Sequence, residues 1–150
     1  HVAYLYSYAG HPEKTQQVIR EVFDRFYLAK PDGLCGNDDC GQMSAWYILS
    51  SMGFYPVCPG TDQYVLGAPY LPYIKVMLEN GKTFEVKADK VSDKNRYVKS
   101  VKLNGKPYTK GFITQQDIMD GGTLTFEMTS SPNKKRVFNG TDRPYSLSSN

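Results

Sequence analysis

The segment Pro31-Asp32-Gly33-Leu34-Cys35-Gly36-Asn37-Asp38-Asp39-Cys40-Gly41-Gln42 is the stretch of this chain whose residue types could carry chemistry. Its three glycines and one proline let the backbone take unusual dihedrals and pass close to another group. Asn37, Asp38 and Asp39 then concentrate acceptors directly before a run that reads as a buried helix. Two uses compete. A carboxylate at a helix N-terminus accepts the exposed N–H groups there and contributes about 0.5–2 kcal/mol as a cap. A carboxylate held ionised by such groups is also what a general base must be. The side chains at 38 and 39 diverge, so both cannot cap efficiently, and one can face a pocket while the other serves the fold.

Helices must position this loop from both sides. In Glu13-Lys14-Thr15-Gln16-Gln17-Val18-Ile19-Arg20-Glu21-Val22-Phe23-Asp24-Arg25-Phe26-Tyr27, the apolar side chains at 18, 19, 22, 23 and 26 follow i, i+3, i+4 spacing, which predicts a surface helix with one buried stripe. Gly10-His11-Pro12 ends an earlier helical stretch and starts this one, with Pro12 where its missing N–H costs little; His11 reads as exposed. Met43 to Met52 is nearly apolar all round and closed by Gly53, which predicts a core helix. Trp46 lies inside it and reads as core packing rather than an aromatic platform for a ligand. Tyr4, Tyr6 and Tyr8 alternate, so on a helix they spread around the axis.

After Pro56-Val57-Cys58-Pro59-Gly60 the pattern changes to short alternating runs: 64–66, 74–78, 83–86, 97–101 and 123–128 read as strands. Asn80-Gly81 and Asn104-Gly105 supply the positive φ of two-residue hairpins, and Asp120-Gly121-Gly122 marks another tight turn. Such spacing predicts an antiparallel sheet or sandwich. The tail from Ser130 to Asn150, rich in Ser, Asn, Lys and Pro, is expected to be loose or to lie along another part of a parent protein.

The chain has 150 residues, 40% hydrophobic and 22% charged, a balance that excludes a disordered or fibrous chain. No apolar run reaches the ~18–20 residues of a membrane span. Residues 1–74 carry 4 basic and 7 acidic side chains and residues 75–150 carry 14 and 8. The lysines of the basic half alternate with apolar residues instead of clustering, which suits the wet face of a sheet and not a nucleic-acid surface. Cys35 and Cys40 are too isolated for a zinc site; they flank the acidic loop and are either bridged or free. The chain opens on His1 inside a helical reading, so a longer parent protein with only part of a site present here is expected.

The run Gly33-Leu34-Cys35-Gly36-Asn37-Asp38-Asp39-Cys40-Gly41-Gln42-Met43-Ser44-Ala45-Trp46-Tyr47, with Ser51-Met52-Gly53-Phe54-Tyr55-Pro56-Val57 after it, closely resembles the signature near the end of the catalytic domain of glycoside hydrolase family 92. These are calcium-dependent, exo-acting α-mannosidases. The resemblance extends through His1, Tyr4-Leu5-Tyr6 and Tyr8-Ala9-Gly10 upstream and through Gly67-Ala68-Pro69 downstream, and is only general in the β-rich remainder.

The resemblance implies an α+β chain. Residues 1–58 would be the last helices of an (α/α) helical-barrel catalytic domain, and residues 59–150 an antiparallel β-rich C-terminal unit. It implies hydrolysis with inversion of terminal mannose, α-1,2-linked on this form of the motif, from mannan or N-glycans. Asp39 matches the general base. Asn37 stands where many relatives carry a second aspartate, so it can orient a water but not take its proton. Asp38 matches the intervening acidic position, as a cap or a support behind the base. His1 borders the pocket or simply packs. The general acid and most calcium ligands would come from the rest of the parent polypeptide, so this segment alone is expected to be inactive. A periplasmic, cell-surface or secreted location is implied. The rival expectation is a non-catalytic carbohydrate-binding or structural β module, with Tyr70, Tyr73, Tyr97 and Tyr108 as a ligand face.

Overall fold

The computed structural model describes residues 1–147. A 3-10 turn at Val2–Tyr4 runs into a short helix, α1 (Leu5–Tyr8), and Pro12 starts α2 (Pro12–Phe26). Ile19 and Phe23 lie on its buried face, as the spacing predicts, and His11 is exposed. The acidic segment then leads to α3 (Gln42–Met52), which Gly53 ends at φ +98°. The three tyrosines do spread: Tyr4 is fully buried, Tyr6 is exposed and Tyr8 is half-buried.

Strand β1 (Phe54–Tyr55) follows α3 without a linker and pairs antiparallel with β2 (Gln63–Leu66), which pairs on its other side with β7 (Phe112–Thr114). The second sheet contains β3 (Tyr73–Met77), β4 (Thr83–Asp89), β5 (Tyr97–Leu103), β6 (Lys106–Pro107) and β8 (Gly122–Thr129) in the order β3-β4-β8-β5-β6. A short helix, α4 (Gln115–Met119), sits between β7 and β8. The chain is thus α+β. All its pairings are antiparallel except β4 with β8, which run parallel. Only one of the two Asn-Gly hairpins is the expected two-residue turn. Asn104 and Gly105 both take positive φ, whereas Asn80 does not; its side-chain oxygen accepts from Lys82 N at 3.0 Å and its amide donates to Met119 O at 2.8 Å.

Two apolar clusters share the interior. Phe54, Leu66, Phe84, Ile113, Leu124 and Phe126 fill the space between the sheets, while Tyr4, Ile19, Phe23, Trp46 and Val65 join the helices to the smaller sheet. Trp46 packs as core. Helix α3 is covered on one face only: Trp46, Ser50 and Met52 are buried, and Ile48 is 59% exposed. Polar side chains bind α2 to the β-rich part. Gln16 Oε1 accepts from Val98 N at 2.9 Å, and Arg20 donates to Ser92 O at 2.9 Å and Pro69 O at 3.4 Å.

The tail is not loose over its described length. Phe138 is buried against Gly111, Gly111 N donates to Asp142 O at 2.8 Å, and Tyr145 N donates to Gln63 Oε1 at 2.8 Å. It lies along this chain's own smaller sheet because one aromatic side chain and a few backbone groups find partners there. The last three residues of that expectation fall outside the described residues. No helix among the described residues is long and apolar enough to cross a membrane.

Candidate active site

Tyr27 leaves α2 in extended conformation and forms an isolated antiparallel bridge with Leu34. Within that bridge Leu28 N donates to Gly33 O (2.9 Å), Lys30 N to Leu28 O (2.8 Å) and Gly33 N to Lys30 O (2.9 Å). Residues 28–33 are therefore a compact turn. Gly33 is needed there because a Cβ would run into the Leu28 carbonyl oxygen.

Farther on, Asp39, Cys40 and Gly41 take left-handed conformations in succession, with φ of +50°, +59° and +94°. Such conformations cost a non-glycine residue on the order of 1–3 kcal/mol, less for aspartate, whose short polar side chain tolerates them. They turn the chain sharply so that α3 can begin at Gln42. Its N-cap, Gly41, has no side chain to offer. Asp38 reaches forward instead: one oxygen accepts from Ser44 N at 2.8 Å and from Ser44 Oγ at 2.9 Å. The Asp38 carbonyl accepts from Met43 N at 3.2 Å and the Asp39 carbonyl from Gln42 N at 3.3 Å.

The two adjacent carboxylates are thereby separated. Asp38 is half-buried and engaged with the helix. The Asp39 side chain is exposed and takes no hydrogen bond or ion pair among the described residues, and Asn37 is exposed beside it. Behind the loop, Tyr27 donates to Met43 O at 3.1 Å and stacks on Tyr47, ring centroids 4.9 Å apart. Burial pushes the Tyr27 phenol up, and the neighbouring Cys35, Asp38 and Tyr55 add to it.

Not every expected residue gathers here. His1 is exposed, and no described contact joins its side chain to the acidic loop; its carbonyl accepts from Tyr4 N at 2.9 Å. Cys35 and Cys40 are free and exposed. Among the described residues no group of three His, Cys, Asp or Glu side chains could hold a metal ion. Sequence reasoning missed Ser44 and Tyr27, while Gly33 makes the close backbone approach expected of the segment's glycines. The Asp38–Ser44 pair spans six positions, twice the spacing of a helix cap, so no motif points to it.

A family model described as the glycosyl hydrolase family 92 catalytic domain matches residues 1–130. The chain belongs to glycosyl hydrolase family 92. This family 92 chain is similar to a solved α-mannosidase of the family from Bacteroides thetaiotaomicron in complex with mannoimidazole: 50% identity, TM-score 0.93, covering 98% of this chain and 19% of that one. A solved inverting mannosidase of the family from the same organism is 42% identical at a TM-score of 0.92, covering 99% and 20%. Among curated proteins, an uncharacterized secreted glycosidase of Arthroderma benhamiae is 31% identical over 124 residues, 81% of this chain and 16% of that protein. The chain thus spans about a fifth or less of the length of these relatives.

Proposed function

We propose that this chain supplies the general base of an inverting, exo-acting α-mannosidase, with Asp39 as that base. The observation that carries the reading is the separation of neighbouring carboxylates: Asp38 takes the N–H and O–H of Ser44, and Asp39 is left exposed with both oxygens unengaged. Inverting hydrolysis needs one carboxylic acid to protonate the leaving oxygen and one carboxylate to deprotonate water on the opposite face, about 6.5–9.5 Å away. Asp39 takes that proton. Asn37 orients the water through its amide and cannot accept the proton. Asp38 holds the loop against α3. The general acid comes from outside this chain, so the segment alone is inactive.

The substrate is the terminal mannose of a mannan or N-glycan, α-1,2-linked. Residues 1–58 are the closing helices of an (α/α) barrel and residues 59–150 its β-rich C-terminal unit. The enzyme works in the periplasm, at the cell surface or as a secreted protein. The mannosidase relatives support a mannose-containing substrate, and the secreted glycosidase supports export. Calcium takes about 6–8 oxygen ligands, and among the described residues no three His, Cys, Asp or Glu side chains come together to hold one. In the proposed enzyme its ligands come mainly from the rest of the polypeptide. The rival reading, a separate β module, fits poorly with a β-rich part whose Val98 N–H and Ser92 carbonyl are satisfied by buried side chains of α2.

The test is made in the complete polypeptide that carries this chain. Asp39→Asn and Asp39→Ala lower kcat on an α-mannoside by about 10²–10⁴-fold, the range of a lost general base. Unchanged turnover in both variants overturns the assignment.

A further inference from the structure

Three asparagines of this chain precede glycine, at 80–81, 104–105 and 139–140, and a glycine leaves its backbone nitrogen unshielded by any side chain. The pairs differ in what holds them. Asn80 donates to Met119 O at 2.8 Å and accepts from Lys82 N at 3.0 Å, while Gly81 N donates to Leu78 O at 3.0 Å. Asn104 Oδ1 accepts from Thr123 N at 2.8 Å. Asn139 is exposed, its side chain makes no capping bond at the 3-10 turn Gly140–Asp142, and Gly140 N donates to no group among the described residues.

Asn139 also sits between two anchors of the tail. Phe138 packs on Gly111, where an added Cβ would meet its ring at 2.7 Å, and Asp142 O accepts from Gly111 N at 2.8 Å. Arg143 Nε reaches back across the same turn to Phe138 O at 2.9 Å. Both anchors close on Gly111, so the length of main chain from 138 to 142 is matched to that one residue.

We propose that Asn139 is a site of spontaneous deamidation and that its isoaspartate form loosens the tail from the smaller sheet. Hydroxide takes the proton of Gly140 N, and that nitrogen attacks Asn139 Cγ. The Cγ–Nδ2 bond breaks and the side-chain nitrogen leaves as ammonia. Water then opens the cyclic imide: attack at Cγ gives aspartate, and attack at the main-chain carbonyl carbon gives isoaspartate, whose chain runs through Cβ and Cγ. Ring closure needs Gly140 N and Cγ in near-attack contact. Asn139 ψ must therefore leave its extended value of 145°, at the expense of the 3.0 Å bond from Asp142 N to Asn139 O. At 80 and 104 the side-chain bonds must break as well, each slowing closure about five- to tenfold. Isoaspartate adds a methylene to the main chain between the anchors, and the match to Gly111 is lost.

The complete polypeptide is aged at mildly alkaline pH and sampled by peptide mass mapping, with isoaspartate told from aspartate by fragmentation. Asn139 converts about five- to tenfold faster than Asn104, and Asn80 is slower still. Hydrogen exchange at the Gly111 amide rises about tenfold in the isoaspartate form, the worth of its one bond. Fresh Asn139→Asp carries the new charge without the added methylene and exchanges at Gly111 as the parent does, which separates chain length from charge. Conversion at Asn139 no faster than at Asn104 overturns the proposal. So does Gly111 exchange that is unaltered in the isoaspartate form, or raised equally in fresh Asn139→Asp.

Discussion

Ser44 directs its backbone N–H and its hydroxyl at a single oxygen of Asp38, at 2.8 and 2.9 Å. The first turn of α3 is therefore capped from outside the helix, by a residue three positions before Gly41. Asp38→Ala removes both bonds and lowers stability by about 1–2 kcal/mol. Ser44→Ala keeps the N–H bond and costs about half as much. Asp39→Asn breaks no described contact and places a residue that tolerates positive φ at that position, so its thermal midpoint stays within about a degree of the parent. Thermal melts of the three variants check the ordering; a destabilised Asp39→Asn would mean that Asp39 serves the fold.

Gln16 and Arg20 sit one helical turn apart on α2, and each satisfies a backbone group far along the chain. Gln16→Leu leaves the buried Val98 N–H unpaired and costs about 1–3 kcal/mol. Arg20→Ala removes a buried guanidinium from two carbonyls and from the Tyr70 ring, and costs about 1–3 kcal/mol. Denaturant unfolding of the parent shows one transition common to helix and strand signals, because the two parts share this interface. A separate strand transition would show that the β-rich part folds alone.

These two residues also mark where the sequence stops being readable. Ile19 and Phe23 announce the buried face of α2 by their spacing, whereas Gln16 and Arg20 belong to types assigned to the wet face until partners at positions 92 and 98 are known. The longer strands were legible from alternation and their hairpins from Asn-Gly, whereas β1, β6 and β7, of two or three residues, are too short to show a period. The parallel pairing of β4 with β8 was not, because turns specify only neighbours in sequence. The acidic segment stood out by composition, but which aspartate caps α3 depends on the left-handed run at 39–41. The tail composition suggested looseness, and Phe138 beside Gly111, with the Gly111–Asp142 and Tyr145–Gln63 bonds, reverses that.

Alkaline pH weakens the fold through its phenols. Burial pushes the Tyr4 phenol far up, with the Ser50 hydroxyl pulling slightly back; burial, Asp117 and Asp142 do the same to Tyr108. In the unfolded chain these groups ionise near pH 10. Above that pH the unfolded state binds fewer protons than the folded state, so stability falls as pH rises. The slope from fully buried Tyr4 approaches about 1.4 kcal/mol per pH unit, and the half-buried phenols add less. Tyr4→Phe flattens this dependence while costing about 1 kcal/mol at neutral pH through the lost Ser50 bond. Melting midpoints followed from neutrality through pH 10 test it, and a slope identical in Tyr4→Phe refutes it.

Gly33→Ala tests whether the turn before the acidic loop sets the position of Asp39. The added methyl meets the Leu28 carbonyl oxygen, which is backbone and cannot swing away, and it also approaches the Lys30 carbonyl oxygen at 2.8 Å. The turn must open, losing the Leu28–Gly33 and Gly33–Lys30 bonds, at a cost of about 1–3 kcal/mol. Amide exchange at Leu28 and Gly33 then speeds up while exchange in α3, held by Asp38 and Ser44, does not. In the complete polypeptide a shift of Asp39 by about 1 Å costs on the order of 10²-fold in kcat. Faster exchange at the turn with full turnover would mean that Asp39 is positioned by the Asp38–Ser44 cap alone.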